Sequence, residues 1–570
     1  MKQNWELSNK KVETKNLFSD LEMATRKILV SRGVDSEKKR KEFLSPDYIR
    51  DLHDPFELDE MDKAIDLFLF AKEKGRKVCI YGDYDADGVT SSVLLSDFFS
   101  QIGVDSFCYI PDRNKEGYSL NKGAIDKVLL DGAKMIISVD CGVSSVEEVK
   151  YAKQKGVKVI ILDHHHVGDV LPNADAIVNP RKRNDRYKEK NLAGVGVVFK
   201  FVQAVASKIK DYDLEQLKWF LDLVAIGTVA DCMALTGENR TLVKFGLIVL
   251  SKTRRTGLKQ LFHVGRISID QHSIPSSQQI GFQIGPRINA AGRMDHASLA
   301  FDLLASKENE ESKARLLALE IEDKNKRRQK VTEVIVKEVQ QKVEKRSSKP
   351  AVIIEASPNW EIGVVGLAAG KIAEKFNVPT ILFQEKDDGL YGSGRSVDDL
   401  NLLEIIDKHK DLMKQFGGHA QALGIRLEKE KLGDFQKKIK GEMEKIERKN
   451  HGKEIRIDAE IELEEINNKL VQELSLLEPF GSKNERPKLF SRRLVIKEMR
   501  VVGNGEKHLK LWLVDEKSDK RSLECIGFGM AQNFEGLRIG GKINVVYNLE
   551  EDSWNGMKKI QASLIDIERL

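Results

Sequence analysis

The chain has 570 residues, enough for three to five domains at ~100–200 residues each. Its hydrophobic fraction of 41% supports several buried cores, and its charged fraction of 32% excludes a membrane-embedded chain. With 94 basic against 89 acidic residues, the net charge of +5 neither demands nor excludes nucleic acid, because a local basic track is all such an enzyme needs.

Residues 1–50 are charged and weakly periodic, and are expected to form an N-terminal extension packed on the next domain. From about 70 to 180, short apolar runs alternate with helical stretches. KVCIYG at 77–82, SFCYI at 106–110, MIISV at 135–139 and VKVIIL at 157–162 read as strands buried on both faces. This is repeated βαβ, hence a parallel sheet covered by helices. Residues 191–253 read as helices, and 254–297 are polar and glycine-containing. Residues 307–346 lack Gly and Pro and read as a long solvated helix between domains. A second α/β pattern spans 349–445, and the short strands of 454–570 suggest a small barrel.

Five scattered cysteines without a CxxC fit a reduced, cytoplasmic protein. No signal-like stretch opens the chain, and no apolar window of ~18 residues predicts a membrane span.

The chemistry concentrates at strand ends. YGDYDADG places Asp83, Asp85 and Asp87 after the first strand, with Gly88 opening a helix. The next strands end in Asp140 and in Asp163-His164-His165-His166, and Asp231 follows an apolar helical run. Ligands of open parallel sheets bind at the carboxyl ends of strands. Carboxylates crowded there repel one another, and a divalent cation is the simplest remedy. Mixed Asp and His ligands suit Mn²⁺, Mg²⁺ or Zn²⁺, and two such ions hydrolyse phosphate esters. An Asp after a strand also serves as a helix N-cap, and Asp87 taken alone fits either role. Cys141 and Cys232 read as small packing residues, and His166 as a neighbour of the site.

These motifs resemble the DHH phosphoesterase superfamily, and within it the RecJ family of single-strand-specific 5′→3′ exonucleases. The resemblance runs from about residue 50 to the C-terminus. It implies a parallel-sheet DHH domain over 51–305, a connecting helix over 306–346, a smaller α/β DHHA1 domain over 347–445, and an OB-fold over 446–570 that binds single strands. It implies two divalent ions, Mn²⁺ or Mg²⁺, on Asp85, Asp87, Asp140, His164 and Asp231, with Asp87 and Asp140 as bridges. Asp83 is then a ligand or water positioner, and His165 a phosphate contact or general acid. Substrate contacts follow at Arg113 and Tyr118 in PDRNKEGYSL, where Ser119 replaces the family's Gly. Further contacts are Arg287, Asn289 and Arg293 in GFQIGPRINAAGRM, Ser393 and Arg395 in GSGRS, and Gly418 and His419 in FGGHAQALG. Without the resemblance, GGH also reads as a tight turn with a structural His. Lys483, Arg486, Arg492, Arg493 and Arg500, with Phe480 and Phe490, form a candidate basic and aromatic surface for single strands. The expected partners are single-stranded DNA, a single-strand binding protein and a helicase. The alternative is a hydrolase of small phosphorylated substrates such as an oligoribonucleotide or cyclic dinucleotide.

Overall fold

The computed structural model describes residues 4–8, 17–113, 115–117, 119–269, 273–397, 400–446, 454–503, 505–516, 521–552 and 559–570. The first α/β unit is built on five parallel strands in the spatial order Ser106–Tyr109, Val78–Gly82, Met135–Val139, Lys158–Leu162, Ala176–Val178. Val78–Gly82 and Met135–Val139 are buried throughout, as their unbroken apolar sequence requires. The chain order reverses between these two central strands. The crevice beyond their carboxyl ends is therefore the topological switch point.

The second sheet runs Met413–His419, Ala422–Leu427, Gly389–Arg395, Thr380–Lys386, Ile353–Ser357, with only the last pair parallel. The C-terminal unit closes into a five-stranded barrel. Leu489–Val502 pairs with His508–Val514 on one side and with Lys542–Asp552 on the other; Ser522–Gly527 and Lys559–Arg569 complete the ring. No described helix is long and apolar enough to cross a membrane.

The long helix, Glu311–Glu344, is solvated on only part of its surface. Ala314, Ala318 and Ile321 enter the core of the first unit, while Ile335, Val339 and Val343 enter the core beneath the second sheet. One apolar stripe thus belongs to two cores, and the helix fixes the units together.

The polar stretch 254–297 is largely helical, and one further sequence expectation is corrected. Residues 254–297 contain the helices Thr256–Gly265 and Gly285–Met294, the second entered through a π turn at Ile280–Ile284. Glycine here serves helix contact rather than chain reversal: a Cβ at Gly292 would lie 2.5 Å from the Tyr84 carbonyl oxygen. The N-terminal extension packs chiefly on the barrel unit, not on the following domain. Phe18, Ile28 and Leu29 share a core with Leu470, Leu474 and Leu489. The strand Asn4–Leu7 pairs with Glu454–Ile457. Toward its end the extension reaches the first unit, where the Tyr48 ring meets Phe245.

Three parts of the chain converge on Arg240, which is 1% exposed. Its guanidinium donates to the carbonyls of Phe43 (2.9 Å), Leu476 (3.1 Å), Leu477 (2.9 Å), Glu478 (2.7 Å) and Pro479 (3.4 Å). It also lies 4.1 Å from the Phe43 ring centroid. Arg240→Met strands these buried acceptors and is expected to cost roughly 3 kcal/mol or more. Urea unfolding with limited proteolysis across 476–488 checks this. An unchanged midpoint would show that the guanidinium is not the staple.

Candidate metal centre

The cluster forms because three chain segments leave the sheet at the switch point. Asp85 caps the helix Ala86–Gln101, its side chain accepting from the Asp87 and Gly88 amides at 2.9 and 3.1 Å. Asp87 lies inside that helix, so the N-cap role falls to Asp85. The Asp87 carboxylate accepts from Gly194 N–H (2.7 Å) and Val195 N–H (2.9 Å) at the start of the helix Gly194–Lys208. That helix approaches because residue 194 is glycine. A Cβ there would lie 2.5 Å from Asp140 Oδ1. Asp140 adopts φ 59°, which turns the chain sharply at the strand end.

His164 Nε2 lies 3.1 Å from Asp140 Oδ1, 3.6 Å from Asp231 Oδ2 and 3.8 Å from Asp87 Oδ2. Ligand atoms within 4.8 Å of one another define three groups: Asp87, His164, Asp231; Asp83, Asp85, Asp140; and Asp140, His164, His165. The first two groups share no residue, so the cluster offers separate donor sets for two ions. The donors fit hard or borderline divalent cations. Oδ1 of Asp83 and Oδ1 of Asp140 are buried with no hydrogen-bond partner among the described residues, as ligand oxygens would be.

Electrostatics agree. Burial, then the neighbouring Asp85 charge, pushes Asp87 up to about 7. Burial, then Asp87, pushes Asp231 up to about 8. Burial and adjacent carboxylates raise Asp83 and Asp140 well above the ordinary range.

Asp163 plays a different part. Its Oδ1 accepts from the amides of His164 (2.7 Å) and His165 (3.0 Å) and lies 2.8 Å from His165 Nδ1; its Oδ2 accepts from Val143 N–H at 2.9 Å. Burial alone would raise this carboxyl, but the His165 hydrogen bond and charge hold it at about 2. Burial opposes charge on His165 too, yet the Asp163 hydrogen bond lifts the imidazole to about 9. Asp163 therefore positions His165 through Nδ1.

At His165 and Asp163 the cluster meets a cavity of about 790 Å³ between the two α/β units. Arg113, Arg293, Ser393, Arg395, Gly418, His419 and His165 all line it. Arg395 Nη1 donates to Ser393 Oγ and to the Gly394 carbonyl, both at 2.8 Å. Arg113 stacks 4.9 Å from the Tyr84 ring centroid, and burial, then Arg113, lowers Arg293 to about 10. Gly418 has φ 141°, and the His419 ring faces His166 at 5.9 Å.

The structure places other expected contacts elsewhere. Arg287 pairs with Glu322 of the long helix at 2.7 Å and donates to the Gln283 carbonyl. Asn289 Oδ1 accepts from Ala86 N–H at 2.8 Å, bracing the aspartate-bearing helix. Tyr118 lies outside the described residues. Ser119 takes the left-handed conformation, φ 70°, that a Gly would supply, and its hydroxyl meets Ser145 Oγ at 2.9 Å. Cys232 is exposed, so its reading as a packing residue does not hold; Cys141 is buried. In the barrel unit Phe490 is buried under Arg492, and Arg486 and Arg492 pair with Glu550 and Glu460. The sequence reading does not name Gly194, and it names Asp163 at a strand end without a role of its own. The run LAGVG carries no ionisable group, and Asp163 looks like one more ligand until its partners are seen.

The crowded charges set a pH dependence for the chelator-treated protein. Asp87, Asp231 and His165 all have folded values above their unfolded ones. Their contribution is full at low pH and is lost as pH rises through about 7 to 9. His164, held at about 3 by burial and then His165, acts oppositely only below 6.5. In EDTA the Tm is therefore expected to fall from pH 6.5 to 9. Asp87→Asn/Asp231→Asn should flatten the fall, and a level wild-type profile would contradict the arrangement.

Three family models match the chain: the DHH family N-terminal domain over residues 77–228, the DHHA1 domain over 348–445 and the RecJ OB domain over 457–566. The single-stranded-DNA-specific exonuclease RecJ of Bacillus subtilis is 35% identical, over 95% of this chain and 67% of its own. The RecJ of Salmonella typhimurium is 33% identical over the whole of both chains. A crystal structure of Thermus thermophilus RecJ with Mn²⁺ superposes with a TM-score of 0.82 at 24% identity, covering 100% of this chain and 80% of that one. Another, of exonuclease RecJ bound to manganese, gives 0.60 at 28% identity, covering 68% of this chain and 95% of that one. With its architecture and these relatives together, the chain belongs to the RecJ family of DHH phosphoesterases.

Proposed function

We propose that this protein is a single-stranded-DNA-specific exonuclease that hydrolyses phosphodiester bonds in the 5′→3′ direction with two divalent ions, Mn²⁺ or Mg²⁺, in cytoplasmic DNA repair and recombination. One observation carries the reading: an arginine- and histidine-lined cavity between the two α/β units shares His165 with the carboxylate–histidine cluster. The working units are 51–305 for chemistry, 347–445 for the strand end and 446–570 for single-strand binding, with 306–346 as the connection.

Arg395, Ser393, Gly418 and His419 hold the terminal phosphate, where the guanidinium fork and a close-lying backbone match phosphate oxygens. Arg113 and Arg293 neutralise the phosphate that follows. Asp85, Asp87, Asp140, His164 and Asp231, with Asp83, hold the ions. When bound, two divalent cations supply a more acidic water and charge neutralisation at the phosphoryl group. His165, steadied by Asp163, presents Nε2 as a proton donor toward the scissile phosphate. A passage shaped for one strand excludes duplex. A helicase and a single-strand binding protein are the partners that would expose such a strand.

End-labelled single-stranded and duplex DNA, digested with Mn²⁺ or Mg²⁺, tests the reading. Label should leave only the 5′ end of single strands. Intact DNA beside hydrolysed dinucleotides would favour the small-substrate alternative. Asp87→Asn is expected to lower kcat by roughly a thousand-fold, about 4 kcal/mol, with DNA affinity nearly kept. Arg395→Ala should erase the preference for a 5′-phosphorylated end while sparing turnover on saturating long strands. Equal preference before and after that substitution would remove Arg395 from the terminal pocket.

A further inference from the structure

The segment 277–294 links the C-terminal unit to the metal centre. At its start Ser277 Oγ donates to the Phe480 carbonyl in the loop that precedes the barrel. Nearby, Leu235 N–H donates to the Ser482 carbonyl at 2.9 Å, so this loop is fixed on the first unit. The π turn Ile280–Ile284 then packs across the end of the helix Leu221–Ala230, whose next residue is Asp231. A Cβ on Gly281 would lie 3.8 Å from Val229, and one on Gly285 3.1 Å from the Ala230 Cβ. Further on, Asn289 braces the helix carrying Asp87, and Arg293 reaches the cavity.

Phe282 stands on this π turn with 75% of its surface exposed. Exposed Phe70 and Phe528 each have a cation or ring against them. Among the described residues, no ring or cation lies against Phe282. Its flanks Ile280 and Ile284 are buried and anchor the turn. A π turn inserts an extra residue into the helix, which redirects side chains and recurs at functional positions. A large ring held out in water on an anchored backbone presents a flat face that a second flat group can cover.

We propose that Phe282 is a base-stacking platform, taking one unpaired base of the strand on its way between the barrel unit and the metal centre. The inference rests on the exonuclease reading above and deepens it by naming a positioning residue on the strand's path. An unpaired base offers the flat face such a ring needs, without regard to sequence. A paired base keeps its face inside the duplex stack, so the platform also favours single strands.

The test uses the full-length enzyme with Phe282→Ala, Phe282→Tyr and Phe282→Leu. KM for a long single strand should rise roughly ten-fold in the Ala and Leu variants and recover in Tyr, with kcat little changed. KM for a trinucleotide too short to span from the centre to the turn should stay unchanged in all three. In chelator, 2-aminopurine placed at successive positions from the 5′ end should show one quenched position. That quench should be lost in Ala and Leu and kept in Tyr. Equal KM values on long strands, or an unaltered quenching profile, would overturn the platform while leaving the nuclease assignment intact. Absence of any wild-type DNA digestion would instead sink the exonuclease reading itself.

Discussion

Like charges held at one sheet edge govern this molecule. Each pair of carboxylates ~4 Å apart repels by roughly 4 kcal/mol at an effective dielectric near 20. Asp83, Asp87 and Asp140 are almost fully buried, so water cannot screen them. The fold answers partly with backbone: two amides of one helix face Asp87, and two of another face Asp85. These amides bring the positive ends of two helices to the cluster. Protons or bound cations relieve the remainder of the charge, which ties the centre to both pH and divalent ions.

A division of labour follows around that centre. The two histidines after the fourth strand are neighbours with opposite environments. His164, burdened by burial, stays neutral with a nitrogen among the carboxylates, whereas His165 leans on Asp163 and favours the charged form. One motif thus supplies a ligand-type imidazole and a proton-bearing one side by side. The second sheet supplies cationic groups across the cavity, held in place by the long helix shared between both cores.

The parallel sheet, the barrel and the carboxylate cluster were legible in the sequence, because buried strands and strand-end acids leave local patterns. Asp83, Asp85, Asp87, Asp140, His164 and Asp231 all meet in space, as their positions at strand and helix ends suggested. What escaped depends on contacts distant in sequence. Arg287 and Asn289 sit in a phosphate-like motif, yet their partners Glu322 and Ala86 come from other segments. The helices of 254–297 were hidden because glycines that serve close packing look like glycines that serve turns. The extension at residues 17–44 found its apolar partner more than 400 residues away, beyond the reach of any local pattern.

The Arg240 staple has a consequence for how the molecule can be taken apart. Its acceptors come from the N-terminal extension and from the loop before the barrel, while the guanidinium itself belongs to the first unit. A fragment ending near residue 446 would keep the cation and lose its four C-terminal acceptors with the removed piece. The same cut would uncover Phe18, Ile28 and Leu29. Loss of activity in such a fragment would therefore report collapse of an interface as readily as loss of a binding surface. The modules are distinct as folds, but the Arg240 contact and the shared core couple them.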